Sequence, residues 1–219
     1  MALTLATGIG TSGLQERIDA LEERAIRKAP FNDEDRRFLV DFYATLATGA
    51  KLSVLVAQTG RLMDHYLAGS GVDYQLGPEI FRESAKVQQQ VVRLRAQTAP
   101  LPCDGRRVTS PTFYMPDRSK LDSVFGLYHG TLSVTLRPAA DGACTLHFRG
   151  EVPWFWPSYA SLKEKWGDAH AESFPLPNAK SLLLGQSHAL FVDNGLGEYL
   201  AQLGLAKPFL AFGEWDEAR

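Results

Sequence analysis

Asp64-His65-Tyr66 sets an acid, an imidazole and a phenol side by side, next to the glycine-flanked corner Gly69-Ser70-Gly71 where a ligand has room to approach. These are the side chains of general acid–base catalysis. Adjacent helical residues point about 100° apart, so the three do not converge on one substrate atom. The plainer account places Tyr66 in a buried stripe, with Asp64 and His65 at its polar edge. Asp168-Ala-His170-Ala-Glu172 offers acid–base or metal-ligating groups at alternate positions, which share a side only in an extended segment. An exposed loop between Gly167 and Pro175 explains them equally well, and no second His or Cys cluster accompanies them to complete a zinc site. Asp193-Asn194-Gly195 follows a strand-like run, and Asp193 beside His188 or Glu198 makes a further acid–base pair, although Asp and Asn-Gly are also ordinary turn and cap residues. The candidate catalytic set is therefore Asp64, His65, Asp168, His170, Asp193 and Glu198, with no cofactor and no metal expected.

The densest aromatic run is Trp154-Phe155-Trp156-Pro157-Ser158-Tyr159. Flanking prolines read as an irregular loop, and Trp154, Trp156 and Tyr159 are the candidate ligand- or partner-binding residues, with core packing as the competing account. Gly8-Ile9-Gly10-Thr11-Ser12-Gly13 matches G-x-G-x-x-G, but a dinucleotide-binding unit needs a second strand ending in an acid about 20 residues on. That region is Glu22-Glu23-Arg24-Ala25-Ile26-Arg27-Lys28, a continuing amphipathic helix. No serine nucleophile elbow, P-loop or H-E-x-x-H occurs.

The elements that must position these residues change character near Pro100: all four tryptophans and 16 of the 23 aromatic residues lie beyond it. The spacing predicts an α+β fold, with a flexible tail over 1–13, a helical bundle or layer over 14–98, and an aromatic, antiparallel β-rich region with short helices over 99–219. Leu14, Ile18, Leu21 and Ala25 mark a first helix, with Ser12 and Gln15 as a capping box and Pro30 as its stop. Asn32 starts a second, whose first-turn acids Asp33, Glu34 and Asp35 suit the helix dipole. A third carries Leu52, Leu55, Val56, Leu62, Met63, Tyr66 and Leu67 and closes at Gly69-Ser70-Gly71. A fourth follows Pro78, with Ile80, Ser84, Val87, Val91 and Leu94 on one face. Val108 to Met115 and Thr131 to Leu136 read as strands, and Asp141-Gly142 ahead of Cys144-Thr-Leu-His-Phe-Arg149 is a hairpin signal. Short helices over Ser158 to Trp166 and Leu196 to Leu203, and strands over Ala189 to Val192 and Phe209 to Trp215, complete the expectation.

A net charge of -2 with Lys and Arg spread along the chain gives no basic field, so nucleic acid is not expected as a partner. Arg93, Arg95, Arg106 and Arg107 read as a solvated helix end and loop. Cys103 lies in a Pro-rich loop and Cys144 opens a strand-like run, contexts that favour unpaired thiols; a bridge would need Cα atoms within about 7 Å. No apolar run approaches the roughly 20 residues that span a bilayer, and Met1-Ala-Leu-Thr-Leu-Ala lacks a signal-peptide core, so cytosolic synthesis without a transmembrane segment is expected.

His65-Tyr-Leu-Ala-Gly-Ser-Gly71 followed by Val72-Asp73-Tyr74, and the ending Gly204-Leu-Ala-Lys-Pro-Phe209 with Gly213-Glu-Trp215, resemble segments of bacterial polymorphic toxins and type VI secretion effectors. The resemblance implies an antibacterial protein secreted into a neighbouring cell by a contractile machine, acting on a cell-envelope component, with an immunity protein and a secretion component as partners. The acid-aromatic-acid run followed by His-Arg of the lipid II-cleaving bacteriocins is not found, so their phosphatase activity is not carried over. The alternative expectation is a non-enzymatic adaptor that docks a secretion or partner protein through the aromatic loop.

Overall fold

The computed structural model describes residues 11–27, 29–52, 57–115, 127, 129–139, 142–154, 174–177, 189–192 and 199–219. The chain is α+β, with its helices mostly N-terminal and an antiparallel-rich mixed sheet after them. It forms two compact units that interleave in sequence: one draws on Met1–Leu52, Met63–Ser70 and Phe155–Pro208, the other on Ser53–Leu62, Gly71–Trp154 and Phe209–Arg219. No helix among the described residues is long and apolar enough to cross a membrane.

In the first unit, α1 (Thr11–Ile26) and α2 (Asp33–Leu52) bury Leu14, Ile18 and Leu21 from the one and Leu39, Phe42, Tyr43 and Ala47 from the other. Helix α1 already includes Ser12, which therefore sits inside the helix and not at its cap, and the helix takes in the last three residues assigned to the N-terminal tail. The start of α2 is fixed reciprocally. Asn32 Oδ1 accepts the Asp35 amide at 2.8 Å, and Asp35 Oδ2 accepts the Asn32 amide at 3.2 Å. The same carboxylate, 1% exposed, receives Arg17 Nη2 at 2.9 Å and Arg24 Nη1 at 2.5 Å, so one buried acid both caps α2 and ties it to α1. The third helix, α3 (Ala57–Leu67), ends as its glycine predicts, with Gly69 at φ 67°.

In the second unit, the stretch after Pro78 is two helices and not one: α4 (Glu79–Arg82) and α5 (Ala85–Thr98). Ser84, placed by spacing on the buried face of a single helix, is extended (φ -76°, ψ 121°) and caps α5 by accepting the Val87 amide at 3.4 Å, while its hydroxyl donates to the Met115 carbonyl at 2.6 Å.

The sheet of this unit has the order β1-β8-β5-β4-β2, from Tyr74–Gln75, Phe209–Ala218, Cys144–Trp154, His129–Pro138 and Arg107–Thr109, with β3 (Phe113–Tyr114) also on β4. All pairings are antiparallel except β1 with β8. The expected strand from Val108 to Met115 is broken at Ser110-Pro111, where proline removes a ladder donor. Alternation then sorts each strand into two faces. Leu132, Val134 and Leu136, Leu146, Phe148 and Val152, and Ala211 and Trp215 form a buried face, on which Phe81 of α4 and Val87, Val91 and Leu94 of α5 are buried. The core of the unit lies there. Phe148 and Trp215, cross-strand partners, stack with centroids 5.4 Å apart.

Cys103 and Cys144 are bridged, with Cα atoms 5.9 Å apart across a sequence separation of 41. This corrects the expectation of unpaired thiols: sequence contexts that looked unrelated are brought together because the loop after α5 returns beside the β4–β5 hairpin, where Gly105 N–H donates to the Leu136 carbonyl at 2.9 Å. In the chain-entropy account a bridge over that separation stabilises by about 4 kcal/mol. The first unit also holds the antiparallel pair β6 (Phe174–Pro177) and β7 (Ala189–Val192), the latter at the expected strand.

Candidate functional site

The other face of the sheet carries the polar residues that alternate with the core. Registers align them in three rows: Arg107, Thr135, His147 and Asp216; then Thr109, Ser133, Arg149 and Glu214; then Thr131, Glu151, Phe212 and Gln75. Each row is a set of direct cross-strand neighbours, the pairs whose side chains approach most closely in a sheet.

His147 is the most enclosed of the ionisable groups in these rows, with 11% of its side chain exposed. Its Nδ1 lies 2.7 Å from Asp216 Oδ1, and its Nε2 lies 3.8 Å from Glu214 Oε1. An ionised carboxylate only accepts, so Nδ1 is the protonated nitrogen of the neutral ring and the free lone pair is on Nε2, on the side of Glu214. Arg149 is held in the next row, donating Nε to Glu151 at 2.5 Å and Nη1 to Glu214 at 2.6 Å, with its guanidinium 4.0 Å from the centroid of Phe212. Burial works against its charge, but the bonds to Glu214 and then Glu151 outweigh that, and its pKa is raised. Arg107 adds a longer pair to Glu151 at 3.7 Å. Three carboxylates thus face two guanidiniums beside the imidazole.

This arrangement can move a proton. The carboxylate on Nδ1 fixes the ring and stabilises an imidazolium, Nε2 is the basic nitrogen, and Arg149 supplies a fixed positive charge one row away. Thr135, directly opposite His147, adds a hydroxyl to the same row. Among the described residues no group of three or more His, Cys, Asp or Glu is disposed to hold a metal ion. An open crevice of about 350 Å³, lined by Glu79, Arg82, Glu83, Gln88 and Glu217, lies elsewhere in the same unit, and its Glu217 already accepts from Trp215 Nε1 at 3.0 Å and pairs with Arg95.

No family model, curated protein or solved structure matches the chain.

Of the site residues proposed from sequence, Asp64, His65 and Trp154 are among the described residues, and none of the three belongs to these rows. Asp64, near the end of α3, is ion-paired with Lys51, His65 beside it is half-buried, and Tyr66 is buried at 1% exposure with its carbonyl accepting the Lys207 amide at 3.0 Å. Trp154 is the last residue of β5, 8% exposed and stacked on Phe209 with centroids 5.4 Å apart. Trp156, Tyr159, Asp168, His170, Asp193 and Glu198 lie outside the described residues. The sheet-face cluster escaped sequence reading because its central pairs join β5 to β8, with Arg149 and Glu214 65 residues apart and His147 and Asp216 69; the available signal was the alternation Thr145, His147, Arg149, Glu151 on β5 answered by Glu214 and Asp216 on β8.

Proposed function

We propose that the chain is an antibacterial effector that acts on a cell-envelope component of a neighbouring bacterium, using acid–base hydrolysis at the polar face of its sheet. The observation that carries the chemical part is the orientation of His147 by Asp216, which leaves Nε2 as the basic nitrogen of an enclosed ring. In this reading Nε2 takes a proton from an attacking water and returns it to the leaving group, Asp216 stabilises the intervening imidazolium, and the Arg149 guanidinium offsets negative charge that develops on the substrate. The delivery part rests on the segments His65 to Tyr74 and Gly204 to Trp215. An immunity protein and a secretion component are its expected partners.

The test is growth of bacteria that express the chain from a tightly regulated promoter, once in the cytoplasm and once with an added periplasmic signal. The proposal expects killing only in the periplasmic arm. Absence of killing in both arms, with folded soluble protein in each, contradicts it, and so does killing confined to the cytoplasm.

A further inference from the structure

We infer that the Cys103–Cys144 bridge makes the fold of the sheet-bearing unit conditional on oxidation, so that the chain reaches its stable form in an oxidising compartment and is loosened as a dithiol in a reducing one. This stands independently of the effector reading, because it concerns folding and not activity.

The bridge closes a loop that contains β2, β3 and β4, and it joins the loop after α5 to the first residue of β5. Within that loop β4 is held by its pairing with β5, whereas among the described residues the stretch from Cys103 through β2 has few anchors. The edge strand β2 has three residues, its lead-in adds Gly105 N–H to Leu136 O at 2.9 Å and Leu136 N–H to Arg106 O at 3.0 Å, and the neighbouring Asp104–Arg106 ion pair is exposed. Short edge strands and exposed ion pairs contribute little. The corner held by the bridge also receives the chain terminus: Arg219 N–H donates to the Cys144 carbonyl at 3.3 Å, and its guanidinium caps the end of α5 through the carbonyls of Thr98 at 3.0 Å, Ala99 at 2.6 Å and Leu101 at 2.7 Å. Releasing the bridge therefore loosens the edge strand, the end of α5 and the end of β8 together. Both cysteines are partly exposed, so exchange reagents can reach them.

The closing step is thiol–disulfide exchange. One cysteine thiolate attacks the disulfide of an oxidising exchange protein or of a small disulfide, giving a mixed disulfide, and the second thiolate displaces the reduced partner. The chain gives up two electrons and two protons, and the oxidant leaves as a dithiol or as two thiols.

The test is the melting midpoint of the full chain after treatment with oxidised glutathione and after dithiothreitol, beside a Cys103→Ser/Cys144→Ser variant. The inference expects reduction to lower the midpoint by at least roughly 5 °C, or to abolish the cooperative transition. It expects the double variant to match the reduced protein and to ignore dithiothreitol. A smaller shift overturns it, as do two titratable thiols remaining after oxidative treatment.

Discussion

His147 and Asp216 stand opposite each other across β5 and β8, and their side chains meet at 2.7 Å between Nδ1 and Oδ1 on the sheet face opposite α4 and α5. The pair is lopsided: 11% of the His147 side chain is exposed against 58% of Asp216. The imidazole is thus held from the solvent side by its own acceptor, and the tautomer is set by a residue that a single substitution can change without touching the core. Asp216→Asn leaves the ring enclosed but removes the charge that fixes Nδ1–H. For a hydrolytic site it is expected to lower kcat by roughly 10²-fold or more while leaving the melting midpoint within a few degrees. Turnover and thermal unfolding of the same preparation check this, and unchanged kcat would remove Asp216 from the chemistry.

The Phe81 ring depends on a pair of missing side chains. Gly150 and Gly213 are cross-strand partners, and a Cβ at either would come within 2.5 or 2.7 Å of the ring. Gly150→Ala and Gly213→Ala are each expected to cost about 1–3 kcal/mol by overpacking, and Phe81→Ala about 3–5 kcal/mol by leaving a cavity. Urea unfolding measures all three. Adding Phe81→Ala to Gly150→Ala should cost less than the sum of the two, since the ring and the new methyl compete for one space.

Asp35 tests the other unit. Replacing it with alanine leaves Arg17 and Arg24 without their buried acceptor and removes half of the Asn32 cap, an expected loss of about 3–5 kcal/mol. Arg17→Ala should cost less, because Arg24 still serves the carboxylate. Chemical denaturation of the variants gives the order, and an Asp35→Ala variant as stable as the wild type would contradict the clamp.

Near the bridge, the Arg106 guanidinium holds the Asp104 carboxyl down to about 2, from an ordinary value of 3.8. A depressed folded value means that the unfolded chain takes up the proton first as pH falls. The pair's contribution is therefore complete above about 4 and is lost as pH drops through about 2. Both groups are exposed, so the effect on global stability is slight. It should appear as a carboxyl titration followed by NMR that moves back towards the ordinary aspartate range in Arg106→Ala.

How much of this was legible beforehand follows from the range of each interaction. The first two helices, the glycine that closes α3 and the hairpin around Gly142 rest on neighbours a few residues apart, and spacing exposes such contacts. The break at Ser84 was hidden because the hydroxyl's partner, the Met115 carbonyl, is 31 residues away. The bridge was hidden for the same reason, since a separation of 41 residues says nothing about distance until the loop after α5 is seen to return. The polar face needed the register of β5 against β8: His147 and Asp216 are 69 residues apart, and a slip of one position would turn Asp216 away from the ring. Alternation on β5 marked His147, Arg149 and Glu151 as one face, but not what stood across from them.

The most direct test of the account is the viable count of bacteria expressing the periplasm-directed chain, as wild type and as His147→Gln, with equal amounts of folded protein confirmed for both. The account predicts at least roughly 100-fold loss of viability with the wild type and little or none with the variant, given the 10²–10⁴-fold usually supplied by a general acid–base group. Equal killing by the two proteins would remove the polar face from the mechanism, and survival of both would contradict the effector itself.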